Sequence, residues 1–267
     1  MRGPRIGRMA FGLIVLLMFI FLLAPVVLVV PMSLSAGSTL EWPPPGWSLR
    51  WYWALLEQRE MGEALRNSLY LAILVTVISL LVAMPACLAL ARGRFRGREA
   101  LLALLSLPLL LPSIVLGLAL LLVFVQFGLL GSWTGLIMAH LLATVPYALR
   151  VLNTALGTLP ASVEEAAASL GAPPSRVFWR VTLPLMARGV IATAAIVFLV
   201  SFDEVVITLF VVGPQLTTLP VWLFHYVEAR MDPLVAAISV LMILFTLTLV
   251  MVLERAIGLR RAVGSQQ

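Results

Sequence analysis

Residues 160–184 read PASVEEAAASLGAPPSRVFWRVTLP and form a polar interruption between two long apolar stretches. Ser162, followed three residues later by Glu165, forms a capping box, which predicts a short helix that begins at Ser162. Gly171 is a residue type that ends helices, and the two prolines that follow it force a turn. Ser175 is a suitable N-cap for a second short helix that ends near the LP pair. The stretch therefore predicts two small helices that pack together as one projecting unit.

Long apolar runs extend in both directions from this loop. Hydrophobic residues make up 62% of the 267 positions and charged residues only 11%, which is far outside the composition of a soluble domain. Each run exceeds the roughly 20 residues that a helix needs to cross a membrane, and lipid offers no other backbone partners. We predict an all-α protein of six transmembrane helices, with residues 1–267 as one transmembrane domain and 152–188 as a loop within it. The predicted spans are 9–32, 69–90, 100–127, 132–151, 189–212 and 234–253. Prolines inside these runs are expected to bend their helices: Pro85, Pro108, Pro112 and Pro146.

The arginines predict the orientation of these spans. If the N-terminus is cytoplasmic, the outside segments hold only Arg50, Arg59, Arg66 and Arg230. Cytoplasmic segments generally carry the excess of positive charge. We therefore expect both termini, and the 152–188 loop, to face the cytoplasm. The arginines on the expected cytoplasmic side are Arg2, Arg5, Arg8, Arg92, Arg94, Arg96, Arg98, Arg150, Arg176, Arg180, Arg188, Arg255, Arg260 and Arg261.

The first apolar run has two interpretations. Arginines precede it and small residues follow it, which is also the pattern of a secretory signal peptide. A cleavable apolar core spans about 7 to 15 residues, whereas this run is longer than 20. We therefore predict an uncleaved anchor helix.

Several chemistries are disfavoured by residues that the sequence lacks. All 18 basic residues are arginine, so the chain has no lysine for a nucleotide-binding P-loop. Cys87, His140 and His225 are too few and too far apart for a metal site, which argues against a metalloenzyme. The net charge of +6 is explained by membrane topology and does not indicate nucleic-acid binding.

The loop resembles the signature of ABC importer permeases, which reads EAA, three residues, G, nine residues, I, one residue, LP. Glu165-Ala166-Ala167 is followed after three residues by Gly171, then after nine by Val181 and after one more by Leu183-Pro184. Val181 replaces isoleucine with another apolar β-branched residue. Further segments resemble the spermidine/putrescine-type second permease in the same order: LPSIVLG at 111–117, AH at 139–140, PY at 146–147, SFDE at 201–204, VGP at 212–214 and LPV at 219–221.

The resemblance implies that the signature residues form a coupling loop, which inserts into a groove of a cytoplasmic ATPase subunit. It also implies a heterodimer with a homologous permease, two ATP-binding subunits and an extracytoplasmic solute-binding protein, all at the bacterial cytoplasmic membrane. ATP and Mg²⁺ would be bound by the partner subunits, so the chain would hold no cofactor and would not be an enzyme. Its expected function is to move a small organic solute across the membrane by alternating access.

Two acids lie within the fifth predicted span. Asp203 and Glu204 are about fifteen residues past Arg188, or roughly 22 Å along a helix. A central acid costs about 2.5 to 3.5 kcal/mol on insertion scales, so the pair is expected to face water or a partner. Because no arginine lies inside a predicted span, the counter-charge would be a proton, the companion permease or the cargo. On a continuous helix Ser201, Glu204 and Thr208 share one polar stripe, and Asp203 points about 100° away.

We predict that these four residues, Ser201, Asp203, Glu204 and Thr208, belong to the substrate pathway. In the resembling polyamine permeases the corresponding segment is associated with that pathway. A hydrogen-bond network between subunits is the alternative. One departure weakens the case for a multivalent cation, because polyamine permeases commonly carry an acid where this chain has Ser113. We expect a positively charged or zwitterionic amine, with polyamines as the leading candidates.

Two other functional classes stay open. A proton- or ion-coupled secondary carrier could use Asp203 or Glu204. A membrane enzyme is a third class, although no nucleophile–base or metal motif supports it. His140, in the middle of the fourth predicted span, is expected to be a neutral imidazole that bonds to a neighbouring helix, with a proton relay or ligand role as the alternative.

Overall fold

The computed structural model describes residues 3–93 and 95–257, and within these ranges it consists mainly of helices, with residues 34–49 as the longest non-helical segment. The predicted all-α fold is confirmed, because the described part of the chain contains two isolated β-bridges and no strand. Four arginines that were used to predict the topology, Arg2, Arg94, Arg260 and Arg261, lie outside the described residues. The helices are α1 (Gly3–Ser33), α2 (Arg50–Glu57), α3 (Arg59–Arg92), α4 (Arg98–Ser106), α5 (Ser113–Phe127), α6 (Trp133–Gly157), α7 (Ala161–Ser169), α8 (Pro174–Val177), α9 (Leu183–Leu185), α10 (Ala187–Phe202), α11 (Val206–Val211), α12 (Leu219–Ala229) and α13 (Leu234–Ile257).

Four of the six predicted spans are single long helices. By length and composition, these helices can each cross a membrane, and two further spans arise if each of two bent helix pairs counts as one. Pro85 lies inside α3 and Pro146 inside α6, and both helices continue through these prolines. The four single-helix candidates are Gly7–Ser33, Arg59–Arg92, Trp133–Gly157 and Leu234–Arg255.

The third predicted span, 100–127, is not one continuous helix. A 3-10 turn, Leu107–Leu110, follows α4, and the chain then bends by 101° before α5 begins. Leu111 has an extended backbone (φ −85°, ψ 139°), because the proline ring of Pro112 disfavours the helical conformation of the residue before it. The predicted bend at Pro112 is therefore confirmed, and it is a complete break.

The fifth predicted span, 189–212, is also interrupted. Helix α10 ends at Phe202, and α11 covers only Val206–Val211. The intervening residues 203–205 are called the fifth-span break below. At the other end, α10 meets the preceding helical segment, Pro174–Leu185, at an angle of 72°. The prediction of a single helix through Asp203 and Glu204 was therefore wrong.

The chain divides into two compact units, Met1–Gly62 with His225–Phe245 and Glu63–Phe224 with Thr246–Gln267. In the second unit, α6 packs along α3 and α10, with Leu71, Val75 and Leu152 among the fully buried side chains. Lipid tails are as apolar as leucine, so close van der Waals packing and interhelical hydrogen bonds hold such helices together.

Small residues bring α6 and α10 into close contact. A Cβ atom built on Gly189 would lie only 2.3 Å from the Cβ of Ala155, far inside normal contact distance. The glycine therefore sets how closely the start of α10 approaches the end of α6. The same device recurs where α11 meets α5, since a Cβ on Gly117 would lie 2.5 Å from the Phe210 ring.

The first unit is held by polar contacts around the segment that follows α1. The Ser33 and Tyr52 hydroxyls lie 2.8 Å apart, and the Leu40 amide donates to the Met231 carbonyl. The Tyr226 hydroxyl donates to Asp232 Oδ2 at 2.8 Å. Burial, and then the neighbouring Asp232 carboxylate, raises the pKa of the Tyr226 phenol above its ordinary value.

Candidate functional site

The connection between α6 and α10 folds into short helices, as predicted, and is called the helical loop (residues 160–186) below. Its first helix begins at Ala161, with Pro160 at the cap position and no side-chain cap bond. The predicted capping box of Ser162 and Glu165 was therefore wrong. Pro160, at φ −61° and ψ 131°, already directs the chain into the first turn, so both residues lie inside the helix with exposed side chains.

Gly171 ends α7 as predicted. Its φ of +83° lies in the left-handed region, which glycine adopts without the steric cost that a Cβ brings. Its amide donates to the Ala168 carbonyl at 2.9 Å, and the Ala172 amide donates to the Ala167 carbonyl at 3.2 Å. These two bonds form a Schellman motif, which satisfies the last carbonyl groups of the helix.

The second helical segment begins two residues earlier than predicted, and the predicted cap at Ser175 was wrong. Pro173 lies at the cap position, and Pro174 occupies the first turn of α8, a position where a missing backbone N–H costs nothing. A π turn, Phe178–Thr182, continues the segment into α9, which contains Leu183-Pro184. The segment thus runs through the predicted end at the LP pair to Leu185.

The signature residues divide into an exposed set and a half-buried set. The exposed set is Glu165, Ala166, Gly171 and Pro184, and the half-buried set is Ala167, Val181 and Leu183. Leu170, which sequence reasoning did not select, is 89% exposed at the end of α7. Its hydrophobic type suggested a buried residue, so only the structure identifies it as part of the surface.

Glu164, the neighbour of Glu165, is the second residue that sequence reasoning missed. Its Oε2 lies 2.8 Å from Arg92 Nε, and its Oε1 accepts a hydrogen bond of 2.6 Å from the Thr182 hydroxyl. Arg92 also donates to the Leu159 carbonyl at 3.0 Å. The carboxylate thereby joins three segments of the chain: the end of α3, the start of α7 and the π turn.

A cavity of about 690 Å³ lies between the helical loop and the end of α3. Its lining combines apolar side chains such as Leu88 and Phe178 with the charged groups of Arg92, Arg98 and Glu164. Arg98 also donates through Nε to the Leu90 carbonyl, which fixes it against the end of α3.

At the fifth-span break, Ser201 and Thr208 face the interior of the second unit. Both are buried, and His140 on α6 lies between them, with Nδ1 2.9 Å from Ser201 Oγ and Nε2 3.0 Å from Thr208 Oγ1. The expectation that His140 bonds to a neighbouring helix is confirmed. These contacts connect α6 to both sides of the break.

The hydroxyl protons determine the direction of the His140 bonds. Thr208 donates its only hydroxyl proton to the Glu204 carbonyl at 2.8 Å, so its oxygen accepts from Nε2–H of His140. In the neutral imidazole, Nδ1 is then an acceptor and Ser201 is its donor. Thr144 likewise donates to the His140 carbonyl at 2.7 Å and lies 2.9 Å from the Ser79 hydroxyl of α3. The network thus reaches α3 as well.

The two acids at the break have different surroundings. Glu204 is half-buried, and its Oε1 accepts a hydrogen bond of 2.9 Å from the Ile207 amide, which caps the first turn of α11. Asp203 is exposed. The predicted stripe of Ser201, Glu204 and Thr208 was wrong, because the helix ends before the acids.

The described residues contain no group of three or more His, Cys, Asp or Glu side chains placed to hold a metal ion. In the two regions Glu164, Thr182, His140, Ser201 and Thr208 are bonded within the chain, whereas Glu165 and Asp203 are exposed.

Comparisons with known proteins agree with this description. Residues 77–261 match the family described as "Binding-protein-dependent transport system inner membrane component". The chain is 35% identical to the putrescine transport system permease protein PotI of Escherichia coli (strain K12), with 86% of this chain and 84% of PotI covered. It is 29% identical to the spermidine/putrescine transport system permease protein PotC of the same strain, with 92% of each covered. It is also 32% identical to the molybdenum transport system permease protein ModB of Mycobacterium bovis, with 91% and 93% covered.

A solved structure has a similar fold over nearly the whole chain. It is a bacterial ABC transporter involved in the import of the acidic polysaccharide alginate. The TM-score is 0.73, with 97% of each chain covered at 17% identity. At that identity the likeness concerns the fold alone, and it agrees with a polytopic helical membrane protein.

Proposed function

The chain belongs to the family of binding-protein-dependent transport system inner membrane components, and we propose that its helical loop receives the ATPase while its fifth-span break borders the solute pathway. Family membership makes it a multi-pass inner-membrane permease subunit of an ABC importer, a transport component and not an enzyme. The predicted family and location are thereby confirmed. The division of roles between the two regions is our proposal.

The coupling role is supported chiefly by three exposed residues, Glu165, Ala166 and Leu170, which are called the exposed edge of the helical loop below. Leu170 presents a large apolar side chain to the surroundings at the end of α7, a helix whose last turn is fixed by the Gly171 motif. An exposed apolar side chain in a rigid position fits a protein contact. Ala166 allows close approach, and Glu165 can make charge-assisted hydrogen bonds to a cationic side chain of the ATPase.

The other signature residues would hold the exposed edge in position. Val181 and Leu183 are half-buried in the segment that packs against α7, and Ala167 lies on the inner side of α7. Pro184, although exposed, lies within α9 just before the 72° turn into α10. Movement of the loop would therefore reach α10 through a short, well-packed connection.

The assembly would contain a homologous second permease, two ATP-binding subunits and an extracytoplasmic solute-binding protein. ATP and Mg²⁺ would be held by the ATP-binding subunits. The family description, which names a binding-protein-dependent system, supports the binding protein as a partner. The stoichiometry, the heterodimer and the cytoplasmic position of both termini follow from the resemblance and from the arginine distribution.

Asp203 and Glu204 are the residues we place at the solute pathway. The exposed Asp203 carboxylate is available to a solute or to the companion permease, and among the described residues neither acid forms an ion pair. Ser201 and Thr208 would not line the surface of the pathway, since both are buried and bonded to His140. They would hold the break in position rather than contact the solute.

An organic amine is the cargo that these acids favour, and polyamines are the leading candidates. PotI and PotC are named for putrescine and spermidine, which are cations that suit paired carboxylates. ModB, at similar identity, is named for molybdenum, so overall identity does not choose between cargo classes. The acid pair is the feature of this chain that favours a cation.

Alternating access would use the fifth-span break. Residues 203–205 separate α10 from α11, so the two helices can tilt independently while His140 holds both to α6. ATP-driven closure of the ATPases would move the helical loop and, through α9, the start of α10. A rigid helix through the same region would transmit the movement without opening a path.

The proposal is tested by uptake in proteoliposomes that contain the complete importer with its ATPases and binding protein. Labelled putrescine and molybdate are offered separately. Asp203→Asn and Glu204→Gln should each lower putrescine uptake about 10-fold, because a hydrogen bond to a charged group contributes about 1.5 to 3 kcal/mol. Glu99→Gln is the matched control, since Glu99 is an exposed carboxylate on α4.

Unchanged putrescine uptake in both variants would remove the acids from the pathway. Molybdate uptake with no putrescine uptake would exclude the amine. Transport by the purified chain without any ATPase would favour the secondary carrier considered from the sequence, which family membership otherwise disfavours.

A further inference from the structure

Two consecutive acids of the helical loop have opposite surroundings. Glu165 is exposed, whereas the Glu164 side chain is only 17% exposed and uses both carboxylate oxygens within the chain. Residues one position apart on a helix point about 100° from each other, so only one of the two can face the rest of the subunit. The chain assigns that inner position to Glu164.

The partners of Glu164 come from different parts of the fold. Arg92, in the last turn of α3, lies 2.8 Å from one carboxylate oxygen, and Thr182, in the π turn, donates to the other at 2.6 Å. Arg92 further donates to the Leu159 carbonyl, just before α7. One side chain therefore joins the second predicted span to both helical segments of the loop.

Helix electrostatics strengthen this contact. Glu164 lies in the first turn of α7, where the partial positive charge of the helix end favours an anion. Arg92 lies in the last turn of α3, where the partial negative charge favours a cation. Each member of the ion pair therefore lies at a helix end whose partial charge favours it. The Arg92 side chain is 33% exposed and Thr182 is buried, so the site is only partly screened by water.

The contact between Glu164 and Arg92 is also a second connection between the helical loop and the membrane helices, in addition to the backbone. Along the chain, the loop reaches the bundle through α6 and α10. Through Glu164 it is joined directly to α3, which continues for 34 residues and contacts the His140 network through Ser79. A displacement of α7 therefore acts on α3 without passing along the backbone of α10.

We propose that Glu164 is a positioning residue that, with Arg92 and Thr182, makes the helical loop and α3 move as one body. Glu165 is left free for the ATPase. The proposal rests on the coupling role of the loop and adds to it the route by which motion enters the second span.

The test uses the complete importer in proteoliposomes and measures solute taken up per ATP hydrolysed. Glu164→Gln keeps the shape and an acceptor for Thr182 but removes the charge that Arg92 requires. We expect uptake per ATP to fall about 10-fold while ATP hydrolysis continues, as for the loss of a coupling interaction. Arg92→Gln should have the same effect from the opposite side of the pair.

Charge exchange separates coupling from simple stability. The double variant Glu164→Arg with Arg92→Glu restores an ion pair, although with each charge at the less favourable helix end. We expect it to recover most of the lost uptake per ATP, whereas Glu164→Arg alone should not. Thermal unfolding of each purified complex is measured in parallel. If the single variants only lower the unfolding temperature and leave uptake per ATP unchanged, the positioning role is overturned.

Glu165→Gln is the matched control for the proposed function itself. It should weaken binding of the ATPase subunits, whereas Glu164→Gln should leave their binding intact. If Glu165→Gln changes neither binding nor uptake, the docking role of Glu165 fails while the Glu164 result stands independently. If Glu164→Gln behaves as wild type in uptake per ATP, the inference fails whatever the Glu165 variant shows.

Discussion

The helical loop and the fifth-span break are both interruptions of helical structure, and they lie at opposite ends of α10. The loop is fixed by an ion pair and a charge-assisted hydrogen bond around Glu164, in partly exposed surroundings. The break is fixed by neutral hydrogen bonds around the buried His140. Water screens and solvates charges at the loop, whereas a charge in the apolar interior of the bundle is costly. The surroundings therefore determine which kind of polar contact can hold each interruption.

This difference predicts different sensitivities. Contacts of the loop should respond to changes of charge and of backbone shape, because its outer surface has to match a partner. Contacts of the break should respond to the loss of a hydrogen-bond partner, because a buried hydroxyl without one is destabilising. Variants in each region can test the distinction.

The largest effect is expected at the end of α7. Gly171→Pro replaces a residue at φ +83° with one whose φ is fixed near −65°, and it removes the amide that bonds to the Ala168 carbonyl. We expect membrane insertion to be retained and ATP-coupled uptake to be abolished, as measured in vesicles with the complete importer. Glu165→Lys should uncouple for a different reason, by reversing the charge of the exposed edge.

Gly171→Asn is the control for this position. Asparagine tolerates the left-handed conformation better than other residues with a Cβ, so the variant should keep most of its uptake. Normal coupled uptake by Gly171→Pro would contradict the coupling role of the loop.

A smaller effect, on stability, is expected at the break. His140→Leu leaves the buried Ser201 hydroxyl without its acceptor, at a cost of about 1 to 3 kcal/mol. It also removes the hydrogen bond that Thr208 accepts, a further loss of about 0.5 to 1.5 kcal/mol, although Thr208 keeps its bond to the Glu204 carbonyl. The measurement is the free energy of unfolding in detergent. Adding Ser201→Ala and Thr208→Val should recover much of the loss, since removing all partners is less costly than orphaning them. If the single variant is as stable as wild type, the network does not hold the break.

The smallest effect is expected between the two regions, where α6 meets α10. Gly189→Ala places a methyl group 2.3 Å from the Ala155 Cβ, and such overpacking costs about 1 to 3 kcal/mol. Adding Ala155→Gly should relieve the clash and restore both stability and uptake. A Gly189→Ala protein that unfolds at the wild-type temperature would show that this contact is looser than the structure indicates.

Much of the architecture could be predicted from the sequence because lipid leaves few options. Apolar runs longer than 20 residues must form helices, so the all-α class and the approximate positions of the four single-helix spans followed directly. Gly171 was correctly predicted to end α7, since the glycine requirement is local. The breaks in the third and fifth spans were predicted as bends or missed, because hydropathy reports where a chain can be buried and not whether its helix is continuous.

The site was predicted less completely. The EAA spacing identified the loop, but it selected Glu165 without indicating that Glu164 is the residue bonded inside the chain. Ser201 and Thr208 were predicted to share a helical stripe, whereas the structure joins them through a common partner, His140. Leu170 carried no sequence signal for exposure, since leucine is usually buried.

The sequence by itself determined the class of this protein: a chain of apolar helices with a spaced EAA loop that belongs to the importer permeases. These properties depend on local residue type and spacing, which can be recognised before the chain folds. Only the tertiary structure decided which acid faces inward, where the fifth span ends and which hydroxyls bond to His140. The bonds of Glu164 and of His140 join residues that lie 18 to 72 positions apart in the sequence, and such contacts exist only once the helices have packed.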